Sequence, residues 1–178
     1  SKKDKKQADQ DLDALLEQSA PKKTFSAALV PSYGLSSVLV SAGAAYLFYS
    51  IHQLQGVEYY PLFVAVTAIS AVLLSIAYHN TNKSVYARLM AARPEVHANL
   101  AEKNVEKQKK AEATVAAARS ATSNEGTSHA ILYNTFLFVA LFTLLGFFLL
   151  GRFIPATYNY PASTILSAGL VLVASRAK

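Results

Sequence analysis

Four long stretches without a single Asp, Glu, Lys or Arg constrain this chain more than anything else in it. They are residues 33–54, 59–78, 131–151 and 158–175, with lengths of 22, 20, 21 and 18 residues. A helix rises about 1.5 Å per residue, so roughly 20 residues cross the hydrocarbon core of a bilayer. Lipid offers the backbone no hydrogen-bond partners, and a helix satisfies its own. A transmembrane β-barrel would show short segments of alternating polarity instead. The expected fold is all-α: a membrane protein of four transmembrane helices, arranged as two hairpins with a helical segment between helices 2 and 3. The fourth block spans only about 27 Å as a helix, which suits a thin bilayer such as the endoplasmic reticulum.

Charge orients the arrangement. If the chain crosses four times, 16 of its 17 Lys and Arg fall on one side: six in residues 1–32, eight in residues 80–130, and Arg176 and Lys178 in the tail. Only Arg152 lies opposite, with Glu58 on the same face. Positive-inside bias then puts both termini and the central segment in the cytosol. The expected parts are a cytosolic arm (1–32), a first hairpin (33–79), a cytosolic helical segment (80–130), a second hairpin (131–175) and a short tail (176–178). No cleavable signal-peptide pattern precedes the first block, so that block is expected to serve as its own insertion signal. Asn82-Lys83-Ser84 matches a glycosylation acceptor, but it falls on the cytosolic side here and is expected to stay unmodified.

Within the arm, Leu12, Leu15 and Leu16 follow an Asp-rich start and end before Pro21, the pattern of a short amphipathic helix. Helix 2 is expected to run on past the bilayer as far as Ala92. Residues 95–121, rich in Ala, Glu and Lys, favour helix. Residues 120–128, with Ser, Thr, Asn and Gly, are expected to break it before the chain returns to the membrane. Small residues at spacing four suggest close helix packing: Ser37 and Ser41 in helix 1, Thr67 and Ala71 in helix 2, Ser163 and Ser167 in helix 4. Helix 3 carries Phe136, Phe138, Phe142, Phe147 and Phe148, and much of its surface is expected to meet lipid. Tyrosines gather where the blocks end, as an interfacial belt does.

Chemistry is sparse. There is no cysteine, hence no disulfide and no thiolate ligand or nucleophile. The blocks hold no acid or base of the kind that marks proton relays and ion paths. His52 and His79 sit at block ends, and no HExxH or phosphate-cradling glycine loop occurs. An enzyme is not expected, nor a cofactor. What remains is basic charge: Lys103, Lys107 and Lys110 at i, i+4, i+7, with Lys109 beside them and Lys83, Arg88 and Arg93 nearer the membrane. Such a stripe can hold RNA phosphates or anionic lipid headgroups. It can equally be a solvated helix, since residues 80–130 balance eight bases with five acids.

The order of these parts resembles the gamma subunit family of the translocon-associated protein (TRAP) complex, also called the signal sequence receptor gamma subunit. The likeness is carried by Asp11-Leu12 with Leu15-Leu16, Ala77-Tyr78-His79-Asn80 and Tyr133-Asn134-Thr135-Phe136-Leu137-Phe138-Val139. It continues in Phe153-Ile154-Pro155, Tyr158-Asn159-Tyr160 and Ser167-Ala168-Gly169-Leu170. The resemblance implies a non-catalytic, multi-pass protein of the endoplasmic reticulum membrane with cytosolic termini. Its implied partners are the other TRAP subunits, the Sec61 translocon, the large ribosomal subunit (rRNA and ribosomal protein) and the membrane lipids, with oligosaccharyltransferase nearby. On this reading Lys83, Arg88, Arg93, Lys103, Lys107, Lys109 and Lys110 are the expected ribosome or RNA contacts. The rivals are a small oligomeric transporter or channel, and an accessory subunit of another translocation or glycosylation complex without ribosome contact.

Overall fold

The computed structural model describes residues 30–54, 56–92 and 105–177, and every regular element among them is helical. Four long helices follow one another: α1 (Val30–Ile51), α2 (Tyr60–Ala91), α3 (Val105–Thr143) and α4 (Ala156–Arg176). A single 3₁₀ turn, Val57–Tyr59, leads into α2. At its far end α3 widens into a π-helical turn, Leu144–Leu149, and tightens again in a 3₁₀ turn, Leu150–Arg152. The local chemistry accounts for several of these limits. Gln53, at φ 53°, takes the left-handed conformation just past α1. Pro61 stands in the first turn of α2, where its missing N–H costs nothing.

Among the described residues, three segments are long and apolar enough to cross a membrane: Pro31–Ile51, Val57–Ala91 and Ser120–Arg152. α4 is more polar, and the polarity is on its inner face. Asn159, Ser163, Thr164, Ser167 and Ser175 are all buried there, while Leu166, Leu170 and Val173 point outward. Its hydroxyls are satisfied within the helix: Ser163, Thr164 and Ser167 each donate to the carbonyl four residues back, at 2.6–2.7 Å.

α2 is the central helix and packs against each of the other three. It runs parallel to α4 and in register with it. Thr67 meets the Tyr160 hydroxyl at 3.4 Å near one end, and Asn80 donates to Ser175 at 3.3 Å near the other. Around Phe48 an aromatic cluster fills the bundle, with Phe142, Phe147 and Tyr160 ring centroids 5.3–5.9 Å away. α3 buries Thr122, Gly126, Ala130, Asn134, Phe138 and Phe142. A spacing of four drifts about 40° per step, so this row winds around α3 and meets different neighbours along its length.

One expectation needs correction. Residues 120–128 do not break the helix; α3 runs straight through them. Two of their hydroxyls bond back onto their own helix instead of competing with it, Ser120 to the Ala117 carbonyl at 2.9 Å and Thr127 to that of Ser123 at 2.8 Å, and Thr122 Oγ1 is buried without a partner. Helix 3 does leave much of its surface outward, with Leu132, Phe136, Val139 and Phe148 exposed, while Phe138 and Phe142 lie in the core and Phe147 packs against it. α2 extends to Ala91 with Ala92 as its cap, and both α2 and α3 pass residues 80 and 130 without interruption. The leucine-bearing arm and Pro94 lie outside the described residues.

Candidate functional site

Polar side chains concentrate at one end of the bundle, where α2 leaves it. Within eight residues of α2, from Ser75 to Asn82, five polar side chains reach across to a neighbouring helix. Ser37 and Ser75 hydroxyls meet at 2.9 Å between α1 and α2. Tyr78 reaches Thr135 at 2.9 Å between α2 and α3. Asn134 donates to Thr81 at 2.9 Å and to the Ala130 carbonyl at 2.8 Å. Asn80 ties α2 to α4 through Ser175. In lipid an interhelical hydrogen bond contributes on average about 0.6 kcal/mol, so four such links hold this end together without any single one dominating.

The outermost layer joins three helices. Asn82 Nδ2 donates to the Tyr33 hydroxyl of α1 and, at 3.3 Å, to Thr127 Oγ1 of α3. Asn82 Oδ1 sits over the backbone of Gly126, where a Cβ would come within 2.6 Å of it. Glycine is favoured here by close approach, since any Cβ would push the Asn82 amide aside, and not by backbone conformation. Beyond this layer α2 continues for nine residues, about 14 Å, and α3 for 21 residues, about 32 Å.

The opposite end has its own polar lock. Widening to a π turn frees the Gly146 carbonyl, and Asn159 of α4 donates to it at 2.7 Å. Gly146 packs on Ser163 and Phe48, and His52 stacks on Phe48 and Phe147 with centroids at 4.5 and 5.5 Å. His52 is thus part of an aromatic stack at the end of α1.

The basic residues fall at two heights. Lys83 and Arg88 are exposed on the last turns of α2, directly beyond Asn82. Lys107, Lys109 and Lys110 lie in the first two turns of α3, about 24 Å or more beyond Gly126 along the helix axis. Arg93 and Lys103 lie outside the described residues. Of the small residues, Ser37, Ser41, Ala71, Ser163 and Ser167 are buried and Thr67 is half-buried. Ser37 and Thr67 bond across to neighbouring helices, whereas Ser41 Oγ has no partner.

Sequence pattern alone assigns no structural role to Asn82, Gly126, Asn134 or Asn159. The available signal was the cost of a carboxamide in lipid, which a buried partner must offset. Among the described residues no group of three or more His, Asp or Glu could hold a metal ion. The arrangement suits holding and presenting: a polar collar, a packed bundle, and two helices that project past it.

A family model described as translocon-associated protein, gamma subunit, matches residues 12–177. The protein named translocon-associated protein subunit gamma of Dictyostelium discoideum is 29% identical over 140 residues, which cover 78% of this chain and 81% of that protein.

Proposed function

The chain belongs to the gamma subunit family of the translocon-associated protein complex, and from that premise we propose that it is a non-catalytic subunit tethering this complex in the endoplasmic reticulum membrane, beside the Sec61 channel and against a translating ribosome. All four helices cross the bilayer, with both termini and the α2–α3 projection in the cytosol. The outward apolar stripe of α4 and its register with α2 support a fourth crossing. The one-sided distribution of Lys and Arg supports the orientation.

The observation that carries the reading is the family match over residues 12–177 on a chain whose α3 reaches about 32 Å past its polar collar. Lys103, Lys107 and Lys110 meet rRNA phosphates, while the bundle binds the other subunits of the complex. Oligosaccharyltransferase lies close by in the same assembly. Replacing Lys103, Lys107 and Lys110 with Gln is expected to weaken ribosome co-sedimentation and to flatten its dependence on salt, by up to about 0.7–0.9 in log–log slope per lost phosphate contact. An unchanged salt series would remove those lysines from the contact.

A further inference from the structure

We propose that the cytosolic ends of α2 and α4 form a binding rim for anionic phospholipid headgroups, made by Lys83 and Arg176 and separate from the ribosome-facing lysines. The inference rests on the proposed membrane crossing and not on ribosome contact.

Outward-facing residues on the two helices carry the argument. On α2, Val64, Val72 and Ile76 are exposed. Lys83, also exposed, stands seven residues past Ile76 and eleven past Val72, which returns it to the same face within about 20°. On α4, Leu166, Leu170 and Val173 are exposed, and exposed Arg176 follows three residues on, about 60° around the axis from Val173. The α2 stripe therefore ends in a cation, and the α4 stripe has one on its flank.

The two cations stand at one height. α2 and α4 are parallel, with contacts offset by 93 residues at Thr67–Tyr160 and 95 at Asn80–Ser175. The same offset sets Arg176 level with residues 81–83 of α2, on the neighbouring helix. From Tyr60 to Lys83 is 23 residues, about 35 Å along the axis. That exceeds the roughly 30 Å hydrocarbon core and brings the ammonium to the phosphate layer.

The rim is one-sided. The corresponding stripe of α3, Leu132, Phe136 and Val139, ends upward in His129, Ser128 and Glu125, all exposed, with no Lys or Arg. α2 and α4 themselves carry no carboxylate side chain along their whole length. A phosphodiester next to α2 and α4 thus meets two cations on stems long enough to lie along the apolar stripe.

The test uses the full chain reconstituted in phosphatidylcholine vesicles doped with spin-labelled lipid. The motionally restricted fraction of spin-labelled phosphatidylserine is compared with that of spin-labelled phosphatidylcholine. A cation near the surface favours an anionic lipid about fivefold, so the wild-type chain should prefer phosphatidylserine on the order of tenfold and Lys83→Gln/Arg176→Gln at most about twofold. Arg176→Lys should retain the preference, and Lys107→Gln/Lys110→Gln should leave it unchanged. An equal preference in the Lys83/Arg176 variant, an equal loss in the Lys107/Lys110 variant, or displacement of the lipid by excess soluble glycerol phosphate overturns the proposal. Alkaline extraction of the same vesicles is the separate check on membrane crossing. A chain that is stripped off defeats the underlying topology, whereas a retained chain without lipid preference defeats the rim alone.

Discussion

Asn82 opens an acceptor tripeptide for N-linked glycan by pattern, yet only 2% of its surface is exposed and its amide bonds Tyr33 and Thr127. The folded chain cannot offer it to a transferase on either side of a membrane, which is a stronger reason for its staying bare than topology alone. Its partner across the interface is Gly126, where an added Cβ would come within 2.6 Å of the Asn82 amide oxygen. Gly126→Val is expected to lower stability by about 1–3 kcal/mol, the usual cost of overpacking a tight contact. Thermal unfolding in detergent would show this as a reduced midpoint, and an unshifted midpoint would mean that α2 and α3 do not approach as closely as described. Sequence patterning could mark Asn134 and Asn159 as polar groups inside apolar blocks. It could not name their partners, because Thr81 and Gly146 lie 53 and 13 residues away.

At the level of elements, the long apolar blocks were legible because hydropathy follows directly from what lipid accepts. The ends were not. Helix α3 passes through Ser120–Ser128, residue types that ordinarily compete for backbone hydrogen bonds, since i−4 back-bonding and the buried face against α2 absorb them. The π turn at Leu144–Leu149 left no trace in local sequence, because a side chain of another helix satisfies its free carbonyl. A proline separates the two descriptions of residues 120–128. In a loop, Asn124→Pro would be silent; inside a continuous helix it kinks the axis and costs about 3 kcal/mol or more. Since the chain has no cysteine, spin labels placed at Ala87→Cys and Ala121→Cys, both exposed positions, can read the α2–α3 distance. The expected result for the proline variant is a broader and longer distance distribution.

For the molecule as a whole, topology is the most accessible quantity. An impermeant thiol reagent added to sealed microsomes is expected to label Ala177→Cys and Lys83→Cys directly, and Phe153→Cys only after permeabilisation. Labelling of Phe153→Cys from outside would invert the orientation. The continuity of α3 also has a mechanical side. From Gly126 it extends about 32 Å outward to Val105 and about 26 Å inward to Thr143, two nearly equal arms on either side of one collar. A stiff rod clamped along its inner arm by Ala130, Asn134, Phe138 and Phe142 behaves as a cantilever: a sideways load on the far tip arrives at the collar as bending, while the buried end beside Phe48 stays put.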